Sequence, residues 1–432
     1  MRDVARALAD PARYRRALER LRDRPARRLD AVDGDGVTLR HLLLDVPTVA
    51  RRIAAAVGRR ALEPRPAEVR RVHLDKEREL FRFAPADEVV HGVLAELLVE
   101  LLEPRLSPCL WSYRRGRSSF QAVAALAGFV RAHVRARPDV RGRGLYVLHA
   151  DVRRYGDSIR LDAGAPLWID LRALLGPLDA PAFALVERLV RPTVLLDGAA
   201  ATPIIGVATG SPIATVLANL YLAPVDAALD AIPGAFYARY GDDLTFAHAE
   251  RAVVERAEAE LTAILDARGL ALHPQKRLFC FWNGAGRPGP EQTPGATHVS
   301  FLGCRVGFDG TVGLPRAKLR ELLGDLRRRV RRASRLAATL PRGERPTVVA
   351  RALAEALDGR SPLATALAPW LTSIVTDRRQ LAEIDRLLAL EVAGAITGRS
   401  GPRAFRALPY RRLRREHGLP SLVVHRNRGG AR

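Results

Sequence analysis

The spacing of apolar residues predicts helices over much of the chain. The first 60 residues, the run VVHGVLAELLVELLEPRL and most of 343–395 have helical patterns. Leu319, Leu322, Leu323, Leu326 and Val330 repeat at helical spacing with arginines on the other face. From Arg399 onward the chain is rich in Pro, Gly and Arg, which predicts an irregular tail.

Shorter apolar runs predict strands. Residues 145–150, LYVLHA, read as a buried strand that ends at an aspartate. Aromatic-rich runs within 236–246 flank Gly241-Asp242, which is typical of a hairpin, and 299–314 predicts a second hairpin that turns at Asp309-Gly310. Because strands and helices mix without regular alternation, we expect an α+β fold.

Composition and charge indicate a globular protein with a polyanionic partner. Of 432 residues, 48% are hydrophobic and 27% charged, and the formal net charge is +23. Residues 1–60 have 15 Arg against 8 Asp and Glu, and 316–432 have 26 Lys and Arg against 10 acidic residues, so the centre is nearly neutral. This pattern favours a core held to nucleic acid by basic flanks, although two solvated basic regions would look similar.

Cysteine usage and hydropathy predict a cytoplasmic protein. The cysteines are Cys109, Cys280 and Cys304, without a CxxC motif, which excludes a zinc ribbon, an iron–sulfur motif and a disulfide framework. The N-terminus lacks the apolar core of a signal peptide. The apolar stretch 213–232 contains Asn219, Pro224, Asp226 and Asp230, which makes it a poor membrane span, so we expect no membrane partner.

Three acidic residues are the candidates for catalysis. Asp151 ends the predicted strand, and Asp242 and Asp243 lie at the predicted hairpin turn. Clustered carboxylates repel each other unless a cation neutralises them, and hard oxygen ligands suit Mg²⁺. An Asp-Asp pair is also common in a solvated turn, so the weight of the motif comes from its surroundings.

Seven segments, in order over about residues 70–315, resemble motifs of bacterial reverse transcriptases of the group II intron, retron and defence-associated type. They are HLDKERELFRFAPADEVVHGVL, LSPCLWSYRRGRSSFQAVAAL, HADVRRYGDSI, GVATGSPIATVLANLYLAPVDAAL, ARYGDDLTF, LHPQKRLFC and VSFLGCRVGFDG. The resemblance implies a metal site on Asp151 and Asp242, with Asp243 as the adjoining carboxylate. It also implies two Mg²⁺ ions as cofactors, with Mn²⁺ as an alternative.

The resemblance implies a nucleotide-binding set and a nucleic-acid-binding set. The nucleotide-binding residues would be Lys76, Arg82, Tyr155, Gly156, Gly210 and Lys276. Arg78 competes with Lys76 and Arg82 for the triphosphate contacts. The template–primer contacts would be Arg114, Arg115, Phe301, Leu302, Gly303, Arg327, Arg328 and Arg331. The chain has only three lysines, and two of them, Lys76 and Lys276, fall inside these motifs.

Two positions depart from the family pattern. The family usually has an aromatic pair after the first palm aspartate, where this chain has Tyr155-Gly156, and the second aromatic is the expected gate against a ribose 2′-hydroxyl. Gly156 therefore leaves sugar selection open, unless Tyr155 supplies the gate. The family also often has Pro-Gln-Gly where this chain has Ala208-Thr209-Gly210, so the template contact of the glutamine is missing or replaced.

The fold implied by the resemblance is a right-hand polymerase with fingers, a ferredoxin-like palm and a helical thumb. The expected parts are a basic helical extension (1–65), fingers (66–140), palm with finger insertions (141–315), thumb (316–400) and a basic tail (401–432). The expected activity is that of an RNA-directed DNA polymerase, which adds dNTPs to a primer 3′-hydroxyl, with a role in antiphage defence as one setting.

Two alternatives to this activity stay open. One is a polymerase with relaxed sugar choice or untemplated nucleotidyl transfer, and the other is a catalytically idle RNA-binding splicing cofactor. The expected partners are an RNA template and primer duplex and dNTPs. A dedicated noncoding RNA is a further candidate partner, and the oligomeric state is left open.

Overall fold

The computed structural model describes residues 4–23, 29–30, 36–73, 77–137, 144–196, 199–358, 361, 364–366 and 368–424. The chain forms two compact units. The first comprises Met1–Arg117 and Leu148–Leu278, and the second comprises Ser118–Val147 and Phe279–Arg432. Both contain helices and strands, which confirms the predicted α+β class; the five-part domain division stays a prediction.

Helices make up most of the regular structure. In chain order, the described α-helices are α1 (Val4–Leu8), α2 (Pro11–Leu21), α3 (Leu39–Leu42), α4 (Val46–Gly58), α5 (Pro85–Leu102), α6 (Ser119–Ala136), α7 (Tyr155–Ser158), α8 (Pro166–Leu175), α9 (Ala180–Val190), α10 (Pro212–Tyr221), α11 (Ala223–Asp230), α12 (Arg251–Ala267), α13 (Arg316–Ala337), α14 (Arg345–Leu357), α15 (Ala368–Ser373), α16 (Arg378–Thr397), α17 (Pro402–Ala407) and α18 (Tyr410–Arg415). Short 3₁₀ helices cover Glu103–Arg105, Pro274–Lys276 and Pro290–Gln292.

Strands are short and form small sheets. In chain order, they are β1 (Ala67–His73), β2 (Glu77–Arg82), β3 (Leu145–Asp151), β4 (Val194–Leu196), β5 (Ala199–Ala201), β6 (Phe236–Tyr240), β7 (Asp243–His248), β8 (Leu278–Trp282), β9 (Gly295–Ala296), β10 (His298–Phe301), β11 (Cys304–Gly307) and β12 (Val312–Gly313). The strand predicted at 145–150 is confirmed as β3.

One sheet of the first unit has the order β2-β1-β4-β5. β1 and β2 are antiparallel, β4 runs parallel to β1, and β5 returns antiparallel to β4. Ala67, Phe83, Val194 and Ala208 form the buried cluster beneath this sheet. The backbone N–H of Phe81 donates to the Thr209 carbonyl at 2.8 Å, which joins β2 to the loop before α10.

The hairpin that carries the acidic pair also lies in the first unit. β6 and β7 are antiparallel, with Tyr240 opposite Asp243, so Gly241 and Asp242 form the turn. Gly241 has φ +68°, a left-handed conformation that favours glycine at a tight turn. β7 lies between β6 and the C-terminal part of β3. The predicted hairpin is therefore confirmed.

The second unit has a three-stranded meander, which contains the turn predicted within 299–314 and the hairpin that the resemblance implies for the Phe-Leu-Gly motif. β10, β11 and β12 are successive antiparallel neighbours. The predicted turn at Asp309-Gly310 joins β11 to β12, but a further turn at Leu302-Gly303 joins β10 to β11. Both of these residues have positive φ, +46° and +75°, as a two-residue hairpin turn requires.

Helices complete the second unit. α13 packs against α14 and α16, and its residues Leu322, Leu326 and Val330 are buried. Leu319 and Leu323 also follow the predicted helical spacing, but they are only partly buried. They line a groove instead of the core.

The prediction of an irregular tail after Arg399 is wrong, because α17 and α18 occupy part of it. Pro402 starts α17, where a missing N–H costs nothing, and Leu413 of α18 is buried. Further on, the buried Asp385 carboxylate of α16 accepts hydrogen bonds from Ser421 Oγ at 2.6 Å and from the Leu422 N–H at 2.8 Å. These bonds hold the end of the described chain on α16.

No single described helix is long and apolar enough to cross a membrane. One bent pair, α10 and α11, passes the same test of length and composition when the two helices are taken together, with a bend of 41° between them.

Candidate active site

The three acidic candidates come together at one edge of the first unit. Asp151 is the last residue of β3, Asp242 is in the β6–β7 turn, and Asp243 begins β7. The Val152 N–H donates to the Asp242 carbonyl at 3.0 Å, which fixes the strand end to the turn. The Asp151 side chain is 14% exposed and that of Asp243 is 27% exposed, so both are accessible but largely enclosed.

Asp243 is the most perturbed of the three carboxylates. Burial, together with the negative charges of Asp151 and Asp242, raises its pKa to about 7. Its buried Oδ1 accepts no hydrogen bond, and His149 Nδ1 lies 3.5 Å away. A buried oxygen without a donor is costly in a folded protein unless a bound group satisfies it.

His149 lies beside Asp243. It is two residues before Asp151 in β3, so the two side chains share one face of the strand. Its Nδ1 lies 3.0 Å from Thr245 Oγ1, within hydrogen-bond distance. Burial lowers the pKa of His149, which the charge of Asp151 opposes and the charge of Lys276 reinforces. A neutral imidazole would not compensate the charge on Asp243.

Lys276 supplies positive charge to the acidic cluster. Its Nζ donates to Asp151 Oδ2 at 2.6 Å. This hydrogen bond is the main reason that the pKa of Lys276 is raised, and the charges of all three aspartates add to the effect. The segment that carries Lys276 is tied to β3 by the backbone: the His273 N–H donates to the Asp151 carbonyl at 2.7 Å, and the Arg153 N–H donates to the Ala271 carbonyl at 2.8 Å.

A buried ion pair supports the β6–β7 turn. Arg239 of β6 is 0% exposed and forms two hydrogen bonds to Asp226 of α11, Nε to Oδ1 at 2.7 Å and Nη2 to Oδ2 at 2.5 Å. Burial opposes the charge on Arg239, but Asp226 more than offsets it and raises the arginine pKa. Arg239 Nη1 also donates to the Gly241 carbonyl at 3.1 Å, and the Gly241 N–H donates to Ser112 Oγ at 2.8 Å. The turn is therefore held by Ser112 and, through Arg239, by Asp226 of α11.

Most of the predicted nucleotide-binding residues lie in the first unit. Arg82 ends β2, and its Nη1 lies 3.8 Å from Glu68 Oε2. Lys76 lies outside the described residues, and Arg78 pairs with Val72 in the β1–β2 ladder. Lys276 is the one member of the predicted set with a direct contact to Asp151 in the described structure.

Tyr155 and Gly210 both have close contacts within the protein, and their predicted roles in nucleotide binding stay predictions. Tyr155 is 6% exposed, and its hydroxyl donates to the Ala218 carbonyl, so the side chain lies in the core. Gly210 has φ +106°, and a Cβ there would lie 2.9 Å from the Phe81 carbonyl oxygen. Its close backbone approach is therefore to β2. At Gly156 a Cβ would meet only Val207, at 3.8 Å.

The segment LSPCLWSYRRGRSSFQAVAAL contains two of the predicted nucleic-acid-binding arginines, one largely buried and one exposed. Arg114 is 7% exposed in its side chain and is fully engaged, with Nη2 bonded to Glu103 at 2.7 Å and Nη1 to the Ser107 carbonyl at 2.6 Å. These contacts stabilise the loop, and the predicted role of Arg114 in nucleic-acid binding stays a prediction. Arg115 is exposed. Ser112, for which no local sequence pattern predicts a role, accepts a hydrogen bond from the Gly241 N–H of the β6–β7 turn.

In the second unit, the predicted FLG residues form the turn between β10 and β11. Phe301 is 1% exposed, so its side chain belongs to the core. Lys318 Nζ lies against Gly303, where a Cβ would overlap it, and also lies 4.4 Å from the centroid of the Trp370 ring. Leu302 and Gly303 remain partly accessible.

The predicted thumb arginines of α13 are mostly ion-paired. Arg327 Nε bonds Glu391 at 2.7 Å, and Arg328 Nη2 lies 3.4 Å from Asp325. Arg331 is exposed. Partner carboxylates reduce the attraction of the first two guanidinium groups for phosphate.

A groove of about 790 Å³ in the second unit is lined by other arginines of this region. The lining residues include Arg305, Arg316, Arg320 and Arg379, together with Asp377 and Glu383. Among the described residues these arginines form no ion pair, and the buried Arg305 Nε has no hydrogen-bond partner. Asp377 is already engaged, because it caps α16 through the N–H groups of Arg379 and Gln380. The groove is therefore suited to an anion.

Within the described ranges, no group of three or more His, Cys, Asp or Glu side chains is arranged to hold a metal ion. The acidic cluster offers two approachable carboxylates, Asp151 and Asp242, with Asp243 beside them. Mg²⁺ characteristically takes one or two protein carboxylates and completes its shell with water and substrate phosphates. The donor set and the unsatisfied Asp243 oxygen fit that pattern of coordination.

No protein-family model matches the chain, and no curated protein sequence does. Similar solved structures include apo telomerase from Candida tropicalis, at 11% identity and a TM-score of 0.45, covering 84% of this chain and 62% of that chain. Telomerase from Candida albicans in complex with a TWJ fragment of telomeric RNA gives 11% identity and a TM-score of 0.45, covering 82% and 62%. The chain thus spans 62% of the length of these two telomerases. Because these similarities are distant, we base the proposed function on the residues of this chain.

Proposed function

We propose that this chain is a polymerase of the reverse transcriptase type, which adds dNTPs to a primer 3′-hydroxyl under the direction of an RNA template. The observation that carries the proposal is the convergence of Asp151 at the end of β3 with Asp242 and Asp243 at the β6–β7 turn. The electrostatic effect of Asp151 and Asp242 on Asp243 supports the same cluster. The reaction itself, nucleotide addition to a primer, is proposed from the resemblance of seven ordered segments to reverse transcriptase motifs.

Asp151 and Asp242 would hold divalent metal, with Asp243 beside them. When bound, Mg²⁺ would lower the pKa of the attacking hydroxyl and stabilise the leaving pyrophosphate. The role of the chain is then to position groups. Ser112 and Arg239 hold the turn through Gly241, and the backbone bond from Val152 holds the turn against β3. Such fixed geometry is how phosphoryl-transfer enzymes gain most of their rate.

Nucleic acid would be held by phosphate contacts outside the acidic cluster. In the first unit the exposed Arg115 is the available member of its motif. In the second unit we assign the main contacts to Arg316 and Arg320, because they line the groove and have no carboxylate partner within the described ranges. Contacts of this kind are independent of sequence and weaken as salt increases.

The test is primer extension by the Asp242→Ala variant on a primed RNA template. We expect loss of dNTP incorporation with retained nucleic-acid binding, because the substitution removes a metal ligand from a turn that the backbone and Arg239 still support. Asp266→Ala, which removes an exposed carboxylate of α12, is the matched control and should extend normally. Extension by Asp242→Ala at the control rate would refute the assignment. A setting in antiphage defence stays a prediction from the resemblance.

A specific observation favours relaxed sugar choice as a second candidate function. Tyr155 is buried with its hydroxyl engaged, and Gly156 has no side chain, so neither residue presents an aromatic ring as a gate. The test measures kcat/KM for incorporation of a single dNTP and of the matching NTP on the same template, which distinguishes a strict DNA polymerase from one with relaxed sugar choice. Similar kcat/KM values would support the second candidate, and strict use of dNTPs would refute it.

A further inference from the structure

The ammonium group of Lys276 lies where a cation would bind the acidic cluster. Its Nζ is 2.6 Å from Asp151 Oδ2, and the Asp151 side chain is only 14% exposed. This contact joins Asp151, for which the resemblance implies metal binding, to Lys276, for which it implies nucleotide binding.

Main-chain hydrogen bonds fix the position of the Lys276 backbone relative to β3. His273 donates from its N–H to the Asp151 carbonyl, and Val152 and Leu272 form an antiparallel bridge. The Lys276 N–H then donates to the His273 carbonyl at 3.1 Å, which closes the short 3₁₀ turn Pro274–Lys276. The base of the lysine side chain is therefore fixed relative to the strand end that carries Asp151.

The ammonium itself is free to move away from this position. The Lys276 side chain is 46% exposed, and four methylene groups separate its charge from the fixed backbone. One ammonium group faces three carboxylates, and the buried Asp243 Oδ1 has no hydrogen-bond partner. A divalent ion with its hydration water would neutralise the cluster better than a single ammonium group can.

We propose that Lys276 is a placeholder cation, which neutralises Asp151 in the metal-free protein and competes with divalent metal for it. The proposal rests on the proposed function, since it assumes that Asp151 is a metal ligand. With a divalent ion bound by Asp151, the Lys276 ammonium group would no longer pair with that carboxylate. The displaced group is then available to phosphate oxygens of an incoming nucleotide, so that metal loading and nucleotide binding support each other.

The proposal predicts that removing the lysine charge strengthens metal binding. Titration of the nucleotide-free protein with Mn²⁺, followed by electron paramagnetic resonance, measures the affinity directly and does not depend on activity. Lys276→Met keeps the length of the stem but removes the charge, and we expect it to bind Mn²⁺ about five- to tenfold more tightly than the wild type. Lys276→Arg keeps a positive charge and should bind nearly as weakly as the wild type.

Arg277→Met is the matched control. Arg277 is the next residue along the chain, but its guanidinium pairs with Glu258 of α12, with Nη2 to Oε2 at 2.7 Å, instead of with the acidic cluster. It should leave Mn²⁺ affinity unchanged. A melting temperature near that of the wild type for each variant shows that the fold is retained.

The outcomes separate the inference from the function on which it rests. Tighter Mn²⁺ binding by Lys276→Met alone supports the placeholder role. If Lys276→Met binds Mn²⁺ with the wild-type affinity or more weakly, while Asp151→Asn abolishes binding, the placeholder role is refuted and the metal site stands. If neither the wild type nor Lys276→Met binds Mn²⁺ in a way that depends on Asp151, both the inference and the proposed metal site fail.

Discussion

The buried pair of Arg239 and Asp226 should be the most sensitive point in the support of the β6–β7 turn. Both side chains are almost fully enclosed, at 0% and 2% exposed, and two charge-assisted hydrogen bonds join them. Replacing Arg239 by Met leaves the Asp226 carboxylate buried, with Tyr237 as a remaining donor at 2.8 Å. Loss of one partner from a buried pair typically costs about 3–5 kcal/mol.

That cost converts to a measurable change in melting temperature. For a unit of about 250 residues, such a loss corresponds to a decrease of roughly 6–20 °C. Differential scanning fluorimetry gives the shift, and hydrogen–deuterium exchange of the peptide covering 236–248 localises it to the hairpin. We expect faster exchange there, because the Gly241 carbonyl loses its guanidinium donor.

Two variants make this prediction specific. Arg15→Met breaks the exposed pair of Arg15 with Glu19 within α2, which should lower stability by less than about 1 kcal/mol. The double variant Arg239→Met with Asp226→Leu removes both charges, and we expect it to be less destabilised than the sum of the two single variants. If Arg239→Met melts like Arg15→Met and its hairpin exchanges at the wild-type rate, the reasoning about the turn is wrong.

Two further predictions concern other parts of the molecule. Gly210→Ala should lower the melting temperature by several degrees, because the φ of +106° is unfavourable for alanine and the new Cβ would lie 2.9 Å from the Phe81 carbonyl; a melt of the purified variant measures this, and an unchanged value contradicts it. The double variant Arg316→Gln with Arg320→Gln should weaken binding of a fluorescent RNA–DNA duplex at all sequences and flatten its salt dependence by about one to two units of log–log slope. Arg327→Gln, which loses only a paired guanidinium, serves as its control, and an equal effect in both proteins contradicts the assignment.

Local sequence patterns predicted much of the fold because they act over a few residues. The β6–β7 hairpin follows from aromatic runs on both sides of Gly241, and β3 follows from an uninterrupted apolar run. The prediction for the tail is wrong because the Pro and Gly residues after Arg399 predict breaks in regular structure, whereas Pro402 begins a helix. The turn at Leu302-Gly303 agrees with the hairpin that the resemblance implies for the Phe-Leu-Gly motif, although leucine rarely adopts a positive φ.

The candidate site was less predictable, because its contacts join distant segments. Convergence of Asp151 with the β6–β7 turn was expected from the motif order, but the bond from Lys276 to Asp151 spans 125 positions. The structural role of Arg114 depends on Glu103 and on backbone carbonyls, which composition cannot show. An arginine inside the apolar strand FYARY was the one local signal for the buried pair, since a charge in such a strand requires a partner.

The junction between β2 and the loop before α10 uses main-chain atoms. Phe81 donates its N–H to the Thr209 carbonyl, and Gly210 lies against the Phe81 carbonyl. Substituting the side chain of Thr209 would leave this bond in place, so homologous chains could vary at that position and still hold the two segments at the same spacing. Phe81 also packs against the buried cluster beneath the sheet, so sequence constraint at the junction should fall on Gly210 and on an apolar residue at position 81.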